Sequence, residues 1–468
     1  MSGDGRLAVV LHSHLPYVEG FGTWPFGEEW LWEAAATCYV PLLELFDRRA
    51  DAAALTLSVT PVLADQLAAD GVADRFRAFL DDVREDTYRR DIEGLEGTGY
   101  PREARALRTL REVYRGARAA IDARDGDIAG ALLAHATWTS SATHAVLPLL
   151  ATPAGLRAQV EGGIGAHRRR AGHWDGGFWL PECAYDPALD GALADAGVRT
   201  TCVDLTDLLG FGDRRHLQPW ATAAGTTLLP IDRSLMDLVW SDGAMPAAAA
   251  YRDSHRRTTF DLLPWANDGT PWDPERARAQ ARTDAATFVR AARERLRDGG
   301  LAVIALDTEF LGHWWIEGPW WLEALLDEAR GQGLEIVDAD RAAAELRAAG
   351  RVAPLPEEAR RTSTWGTPRT LWTWSGPQVA AMARRARRLE LQVASLGSRA
   401  TPRAWRELLA VQSSDWAFLR TRATAGDYPD RRSDSHAEAL VAELHALGSA
   451  APALRNLAPF LDGTAART

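Results

Sequence analysis

The sequence of 468 residues has no lysine, only three cysteines and no apolar run of the roughly 20 residues that a membrane span needs. Cys38, Cys183 and Cys202 show no CxxC spacing, so the sequence indicates neither a disulfide framework nor a zinc knuckle. The formal net charge is -11 without any long basic stretch, which argues against a nucleic-acid partner. We therefore expect neither a membrane protein nor a nucleic-acid-binding protein.

The N-terminus also lacks a secretory signal, because MSGDGR leads directly into the apolar run Leu7–Leu11 without a long apolar stretch or a cleavage site. The sequence alone therefore favours a cytoplasmic location. What it has in abundance is tryptophan, 19 residues against 12 Phe and 8 Tyr. Disordered chains are poor in aromatics, so the tryptophans indicate a folded protein in which they fill a large core or line a carbohydrate groove.

Short apolar runs rich in β-branched residues alternate with helical stretches, a pattern that is typical of α/β domains. Their spacing predicts a closed or nearly closed β/α barrel over residues 1–350, with a helical insertion around residues 100–135. From Arg341 onward the sequence predicts helices only, including one over Thr401–Arg420, and hence an all-helical C-terminal domain over residues 351–468. The predicted strands are Leu7–Leu11, Leu55–Val59, Gly177–Leu180, Thr200–Val203, Thr227–Pro230, Leu301–Leu306 and Glu335–Val337.

Polar side chains follow the first predicted strand in the stretch LHSHLPY, which carries His12 and His14. If the strand continues through them, their i, i+2 spacing puts both imidazoles on one face. Two imidazoles there suit a metal ion or a polyhydroxy ligand. Two polar residues that simply close a strand end give the same pattern, so the sequence leaves these interpretations open.

Two carboxylates are predicted to emerge at one edge of the barrel. Glu182 follows a short apolar run in GGFWLPECAY, and Asp307 follows a longer one in LAVIALDTEFLGHWWIEGPWW. The C-terminal ends of the strands of a β/α barrel share one face, so both carboxylates should reach the same rim. Paired carboxylates suit glycoside chemistry. The tryptophans placed around both of them favour a sugar groove over a filled core.

With these residues the sequence resembles glycoside hydrolase family 57, and within it the 1,4-α-glucan branching enzymes. The matching stretches occur in the family's order: LHSHLPYV, GTWPFGEEWLWEAAATCYVPLL, SATHAVLPLL, GGFWLPECAY, VWSDG with YRD, ALDTEFLGHWWIEG, TSTWG and QSSDW. The resemblance implies a (β/α)7 barrel, a distorted TIM-like barrel, with a helical C-terminal domain. It also implies a retaining mechanism without a metal or other cofactor, and an α-1,4-glucan substrate such as amylose, glycogen or a maltooligosaccharide. The oligomeric state stays open.

The resemblance further implies roles for individual residues. Glu182 resembles the nucleophile of the family, and Asp307 resembles its general acid/base. The other matching positions are expected to contact sugar, so the histidines are expected to hydrogen-bond a glycan rather than bind a metal. These substrate-binding positions are His12, His14, Trp30, His144, Trp179, His313, Trp365, Trp374, Asp415 and Trp416.

The sequence departs from the branching enzymes in the loop after VWS. Those enzymes carry a Gly-Tyr-Pro-Gly stretch whose tyrosine closes over the acceptor, whereas WSDGAMPAAAAYRD places Met245 at that position. Because a closing loop excludes water from the intermediate, we expect hydrolysis to gain on branching. Two other classes stay open: a metal-dependent deacetylase-type hydrolase that uses His12, His14 and Asp307, and a non-catalytic glucan-binding protein.

Overall fold

One ten-stranded sheet and 19 α-helices make up the part of the chain that the computed structural model describes, residues 5–446 and 456–461. Residues 1–4, 447–455 and 462–468, which belong to the two predicted domains, lie outside the described part. The strands are β1 (Gly5–Ser13), β2 (Thr56–Val59), β3 (Ala136–Ser140), β4 (Gly177–Trp179), β5 (Thr200–Val203), β6 (Trp220–Ala221), β7 (Thr227–Pro230), β8 (Gly300–Asp307), β9 (Glu335–Ile336) and β10 (Ala353–Pro354). The helices are α1 (Glu28–Ala34), α2 (Val40–Arg48), α3 (Pro61–Leu67), α4 (Val72–Ala78), α5 (Glu85–Gly97), α6 (Pro101–Ala123), α7 (Ile128–Leu133), α8 (Pro153–Ala171), α9 (Asp190–Asp195), α10 (Thr206–Leu209), α11 (Arg233–Trp240), α12 (Pro274–Arg295), α13 (Gly318–Gln332), α14 (Ala339–Ala348), α15 (Trp372–Ser375), α16 (Ala380–Ser395), α17 (Pro402–Val411), α18 (Ser414–Arg422) and α19 (Tyr428–Ala446).

Seven of the strands curl into a barrel in the order β8-β1-β2-β3-β4-β5-β7, and every neighbouring pair along this path is parallel. Within the described residues β7 and β8 form no ladder, but the backbone N–H of Asp232 donates to the carbonyl of Val303 at 2.7 Å and bridges the seam. The middle of β1 and of β8 is apolar and fully buried, as expected for parallel strands covered on both faces. The predicted (β/α)7 barrel is confirmed.

The pattern of apolar runs located six of these strands but missed β3, whose sequence ATWTS is too polar to form such a run. In its place the pattern counted β9, which is two residues long and pairs with the start of β1 off the barrel path. The sequence therefore predicted the right number of strands with one wrong member.

Helices cover the barrel and fill its longest connection. The predicted insertion lies between β2 and β3, where the chain forms α3 to α7 and α5 packs against α6. Two helical junctions are π-helical: Ala35–Tyr39 joins α1 to α2, and Phe79–Arg84 joins α4 to α5. Such turns are rare and frequently occur at functional sites. No helix in the described ranges is long and apolar enough to cross a bilayer.

The region after residue 350 is not purely helical, contrary to the sequence pattern. β10 still pairs with β6 at the edge of the sheet, and Tyr185 and Ser363 exchange backbone hydrogen bonds. The predicted helix Thr401–Arg420 is divided into α17 and α18, because the backbone at Ser413 (φ -52°, ψ 134°) leaves the helical region. Both departures bring the C-terminal region onto the rim of the barrel.

Most of the tryptophans lie in the interior of the protein. This corrects the expectation that their excess lines a sugar groove, because an indole that packs on all sides presents no face to a ligand. A smaller set, which includes Trp240 and Trp365, stays partly exposed. The fully buried examples are Trp138, Trp179, Trp321 and Trp416.

Candidate active site

The C-terminal ends of the barrel strands place polar side chains on one rim. In the register of β1 and β8, His12 lies directly beside Asp307. In the register of β1 and β2, His12 lies beside Ser58, whose hydroxyl is 3.2 Å from His12 Nδ1. Glu182 follows shortly after the end of β4. The topology therefore brings both predicted carboxylates to the same rim.

Glu182 lies on a strained turn. Its backbone has φ 62° and ψ 23°, a left-handed conformation that is uncommon for a residue other than glycine. The carbonyl of Glu182 accepts hydrogen bonds from the hydroxyl of Thr364 at 2.7 Å and from the N–H of Trp365 at 3.2 Å. Strain of this kind persists only where the surroundings fix it, and it clusters at functional sites. The segment TSTW therefore fixes the direction of the Glu182 side chain.

The carboxylate of Glu182 is surrounded by hydrogen-bond donors. The indole N–H of Trp365 donates to Oε2 at 3.0 Å, and the hydroxyl of Ser414 lies 3.5 Å from Oε1. His144 Nδ1 lies 3.8 Å from the same Oε1. Burial raises the pKa of Glu182 to about 7, although the Trp365 hydrogen bond acts to lower it. The group is therefore poised between its charged and neutral forms near neutral pH.

Burial favours the protonated form of Asp307 as well as that of Glu182. Burial, followed by the charges of Glu309 and Glu182, raises the pKa of Asp307 well above the usual aspartate value. Carboxylates that interact strongly titrate as a pair, in which the member with the higher pKa keeps the proton. Glu182 and Asp307 therefore titrate as a coupled pair, and burial favours the protonated form of each.

Three imidazoles stack beside the carboxylates. The ring centroids of His14 and His144 lie 3.9 Å apart, and those of His12 and His144 lie 5.0 Å apart. His12 Nε2 and His144 Nε2 are separated by 3.0 Å, so one of these nitrogens donates and the other accepts. His144 Nδ1 lies 2.8 Å from the hydroxyl of Ser414, which connects the histidines to the start of α18.

The three histidines differ in charge. Burial, together with the neighbouring His14, lowers the pKa of His12 and of His144 well below the usual value, so both are neutral at pH 7. Burial acts in the same direction on His14, but Asp415, whose Oδ1 lies 2.9 Å from His14 Nε2, outweighs it and raises the pKa. His14 is therefore the imidazole of the cluster that takes up a proton most readily, and it is paired with Asp415.

The imidazole nitrogens are engaged with protein partners. His12 and His144 each use one nitrogen on the other ring, and His14 Nδ1 lies 3.2 Å from the hydroxyl of Thr60. In the ranges that the structure describes, no group of three or more His, Cys, Asp or Glu side chains is arranged to hold a metal ion.

Sequence reasoning missed a third carboxylate, Glu309, two positions after Asp307. Glu309 is buried, and its Oε1 accepts hydrogen bonds from the hydroxyl of Tyr39 at 2.5 Å and from the backbone N–H of His14 at 3.0 Å. Burial raises the pKa of Glu309 to about 7, against the effect of the Tyr39 hydrogen bond. The acid-x-acid spacing in DTEF was a usable signal for Glu309. Tyr39 gave none, because it lies 270 positions away in the sequence.

A row of indoles runs along the rim. Trp179 stacks on His12 with ring centroids 4.4 Å apart and meets Trp365 edge-on at 5.0 Å. Trp240 lies 6.3 Å beyond, stacked on Trp365, and is partly exposed. Trp240, in the stretch VWSDG, is a second residue that sequence reasoning missed. Its open face lies next to the indole that hydrogen-bonds Glu182.

Trp30 and His313, two further predicted positions, are half-buried. Trp30 packs edge-on against Tyr428, with ring centroids 5.7 Å apart. His313 lies against the exposed Trp314, and burial lowers its pKa. Both side chains keep some exposed surface, so both are accessible to a ligand.

Trp374 and Trp416, in contrast, are buried. The indole N–H of Trp416 donates to the carbonyl of Ala410 at 2.7 Å, and the guanidinium of Arg432 lies 4.7 Å from its ring. The ring of Trp374 lies directly beneath Gly366, where an added Cβ would approach it to 2.4 Å. Neither indole presents a face to the rim, which corrects the expectation that both line subsites. They support the residues that do.

The loop after α11 carries no aromatic residue from Ser241 to Ala250. Met245–Ala247 forms a short 3₁₀ turn, in which Met245 is partly buried against the main core. Asn267 holds this turn through two hydrogen bonds to backbone carbonyls. The nearby Tyr251 is buried and its hydroxyl donates to Asp284 at 2.7 Å, so Tyr251 does not supply an aromatic ring to this loop.

Two family models match the chain. One described as Glycosyl hydrolase family 57 covers residues 137–353, and one described as 1,4-alpha-glucan branching enzyme, C-terminal, covers residues 378–458. The chain is 30% identical over 501 residues to the 1,4-alpha-glucan branching enzyme of Thermococcus kodakarensis, with 92% of this chain and 71% of that protein aligned. It is also 30% identical over 499 residues to the probable 1,4-alpha-glucan branching enzyme of Mycobacterium tuberculosis, with 93% and 91% aligned.

Solved structures agree with these sequence comparisons. The crystal structure of the GH57 branching enzyme from Thermococcus kodakaraensis superposes with a TM-score of 0.85 at 27% identity, covering 98% of this chain and 94% of that one. The α-amylase AmyC from Thermotoga maritima shares the fold, with a TM-score of 0.79 at 22% identity, and covers 100% of this chain and 97% of that one. The chain belongs to glycosyl hydrolase family 57.

The charge on His14 is testable without an activity assay. Because Asp415 outweighs the effect of burial, His14 titrates above the usual histidine pKa, and Asp415→Asn should move this titration below it. Nitrogen-15 NMR of the histidine side chains measures the shift, with the His14 signal assigned from its loss in His14→Gln.

The matched control is Glu407→Gln, which removes the carboxylate that lies 3.1 Å from His436 Nδ1. This change should move the titration of His436 and leave that of His14 in place. A His14 signal that titrates identically in the wild-type protein and in Asp415→Asn contradicts the assignment.

Proposed function

We propose that the chain acts on α-1,4-glucans by double displacement, with Glu182 as nucleophile and Asp307 as general acid/base. The observation that carries this proposal is that Glu182 and Asp307 lie at the C-terminal ends of β4 and β8, on one rim of the barrel. The relatives named as 1,4-alpha-glucan branching enzymes support the substrate class. In this proposal residues 1–350 form the catalytic domain, and residues 351–468 complete its cleft.

In the first step the ionised Glu182 attacks the anomeric carbon, and the bond from that carbon to the glycosidic oxygen breaks. Asp307 transfers its proton to the departing oxygen, so the released chain leaves as a neutral alcohol and Glu182 becomes a glycosyl ester. The Trp365 hydrogen bond to Oε2 favours the ionised form of Glu182, which is the reactive one.

In the second step Asp307, now ionised, removes a proton from water or from a sugar hydroxyl, and the oxygen of that group attacks the same carbon. The ester bond breaks, Glu182 returns as a carboxylate, and Asp307 recovers its proton. Two successive inversions leave the α configuration unchanged. Water as the acceptor gives hydrolysis, whereas the 6-hydroxyl of a second glucan chain gives a branch.

The remaining rim residues supply the contacts to sugar in this proposal. Both ring nitrogens of His12, His14 and His144 already have a protein partner, so a sugar hydroxyl must share or replace one of these hydrogen bonds. The partly exposed Trp240 and Trp365 offer indole faces to sugar rings. Further contacts come from the accessible positions Trp30 and His313, while Trp179, Asp415, Trp374 and Trp416 hold these groups in place.

The balance between transfer and hydrolysis depends on the loop of Met245. A closed lid favours transfer because it shields the intermediate from water and holds the acceptor. The thioether of Met245 cannot donate the hydrogen bond that a phenol offers to an acceptor. We therefore expect water to be the main acceptor. Hydrolysis should then exceed branching, although the relatives of the chain are named as branching enzymes.

The roles of the two carboxylates are tested by replacing each with its amide. Glu182→Gln should lower kcat/KM on maltoheptaose about 10⁴-fold or more, since no ester can form. Asp307→Asn should lower it about 10²–10⁴-fold, the contribution of a positioned acid. The control is Glu161→Gln, an exposed amide substitution on α8, which should keep wild-type activity. Unchanged turnover in folded Glu182→Gln would overturn the assignment of the nucleophile.

The acceptor is tested by product analysis on amylose. After incubation with wild-type protein, released reducing ends should outnumber new α-1,6 linkages, counted after enzymatic debranching. Met245→Tyr should shift the ratio toward branches, because it restores a phenol to the loop. The matched control Met245→Leu keeps an apolar side chain of similar size and should leave the ratio unchanged. Abundant branching by the wild-type protein contradicts the proposed preference for water.

A further inference from the structure

The π-helical segment Ala35–Tyr39 is pressed against the turn that carries the proposed acid. The thiol of Cys38 donates to the carbonyl of Thr308 at 3.0 Å, and the hydroxyl of Tyr39 donates to Glu309 Oε1 at 2.5 Å. Gly312 lies so close to this segment that an added Cβ would be 1.9 Å from the carbonyl oxygen of Thr37. The two residues that follow Asp307 are therefore both held by one short helical turn.

Glu309 is a buried carboxylate without an ion-pair partner among the described residues. Its contacts are two neutral donors on one oxygen, the Tyr39 hydroxyl and the backbone N–H of His14. The charge of His14 favours the ionised form of Glu309, but within the described residues no side chain forms an ion pair with Glu309. Burying a carboxylate in this way is costly, which favours a role for its charge. The nearest proposed catalytic group is Asp307, two positions earlier in the chain.

We propose that Tyr39 and Glu309 form a positioning pair that keeps the proton on Asp307 until the glycosidic oxygen takes it. This inference rests on the proposed function, in which Asp307 is the general acid/base. The Tyr39 hydroxyl stabilises the negative charge of Glu309, and that charge opposes ionisation of Asp307. Neither residue transfers the proton itself.

Among the titratable groups that face Asp307, Glu309 is the one that we expect to control the ionisation of Asp307. His12 on β1 is neutral, and His14, directly after β1, is paired with Asp415 and has its pKa raised by Asp415, Glu309 and Glu182. On the π-helical segment, burial first and then Glu309 raise the pKa of Cys38 and of Tyr39 well above their usual values, so both stay neutral. The group that follows β4, Glu182, has its own role as nucleophile.

These contacts predict the direction of two pH shifts. The basic limb of the kcat/KM profile reports the ionisation of the essential acid in the free enzyme. Glu309→Gln removes a negative charge beside Asp307, so Asp307 should ionise at lower pH and the basic limb should move down by about one pH unit. Tyr39→Phe removes the hydrogen bond that lowers the pKa of Glu309, so Glu309 is charged over less of the range. The limb should move in the same direction by a smaller amount.

The experiment is a kcat/KM profile on maltoheptaose for the wild-type protein, Glu309→Gln, Glu309→Asp, Tyr39→Phe and Tyr251→Phe, with folding checked by circular dichroism. Tyr251 is the matched control, because its buried hydroxyl donates to Asp284 and contacts neither Glu309 nor Asp307. Tyr251→Phe should keep the wild-type basic limb. Glu309→Asp keeps the charge but shortens the side chain, so it should move the limb less than Glu309→Gln does. If Glu309→Gln does not fold, Tyr39→Phe and Glu309→Asp still decide the case.

A basic limb that stays in its wild-type position in both Glu309→Gln and Tyr39→Phe overturns the inference, even if kcat falls, because a purely structural role lowers kcat without moving the limb. A limb that moves equally in Tyr251→Phe also overturns it. Failure of the proposed function is separate, since turnover that persists in Asp307→Asn removes Asp307 as the acid whatever the other profiles show.

Discussion

Three carboxylates crowd the mouth of the barrel, and in the described part of the chain no arginine forms an ion pair with any of them. Glu182 is held by an indole, a hydroxyl and a nearby imidazole, and Glu309 by a phenol and a backbone N–H. Asp307 lies beside His12 in the register of β1 and β8. Burying a charge without a cation is costly, so a buried carboxylate either stays protonated or accepts hydrogen bonds that stabilise its charge. The arrangement of the rim follows from this constraint, because the hydrogen bonds and charges around each carboxylate shift its pKa.

The same constraint connects the barrel to the region that follows it. The donors that reach Glu182 come from outside the strands: Trp365 from the extended segment after β10, and Ser414 from the start of α18. Asp415, one residue further along α18, likewise favours the protonated form of His14. A barrel without these elements would keep both carboxylates but lose the groups that shift the pKa values of Glu182 and His14.

The sequence predicted the parts of this arrangement that have a local signature. Glu182 and Asp307 were found because each follows an apolar run, and a strand end in a β/α barrel has only one direction in which to point. β3 was missed because the polar string ATWTS hides a strand whose neighbours supply its burial. The tryptophan excess was misread, since the number of indoles does not reveal how deep each lies. Tyr39 was out of reach, because its partner is fixed by a π-helical turn and a contact across 270 positions.

The central claim is that Glu182 becomes a glycosyl ester while Asp307 supplies and recovers the proton. Mass spectrometry of proteolytic fragments from Asp307→Asn, quenched during reaction with α-maltosyl fluoride, tests it directly. Fluoride leaves without a proton and the variant lacks the base that activates water, so the ester should accumulate. The peptide that contains Glu182 should then carry one additional maltosyl residue. Catalytic release of fluoride with the sugar attached to another side chain, or with no attached sugar at any time, would contradict the account.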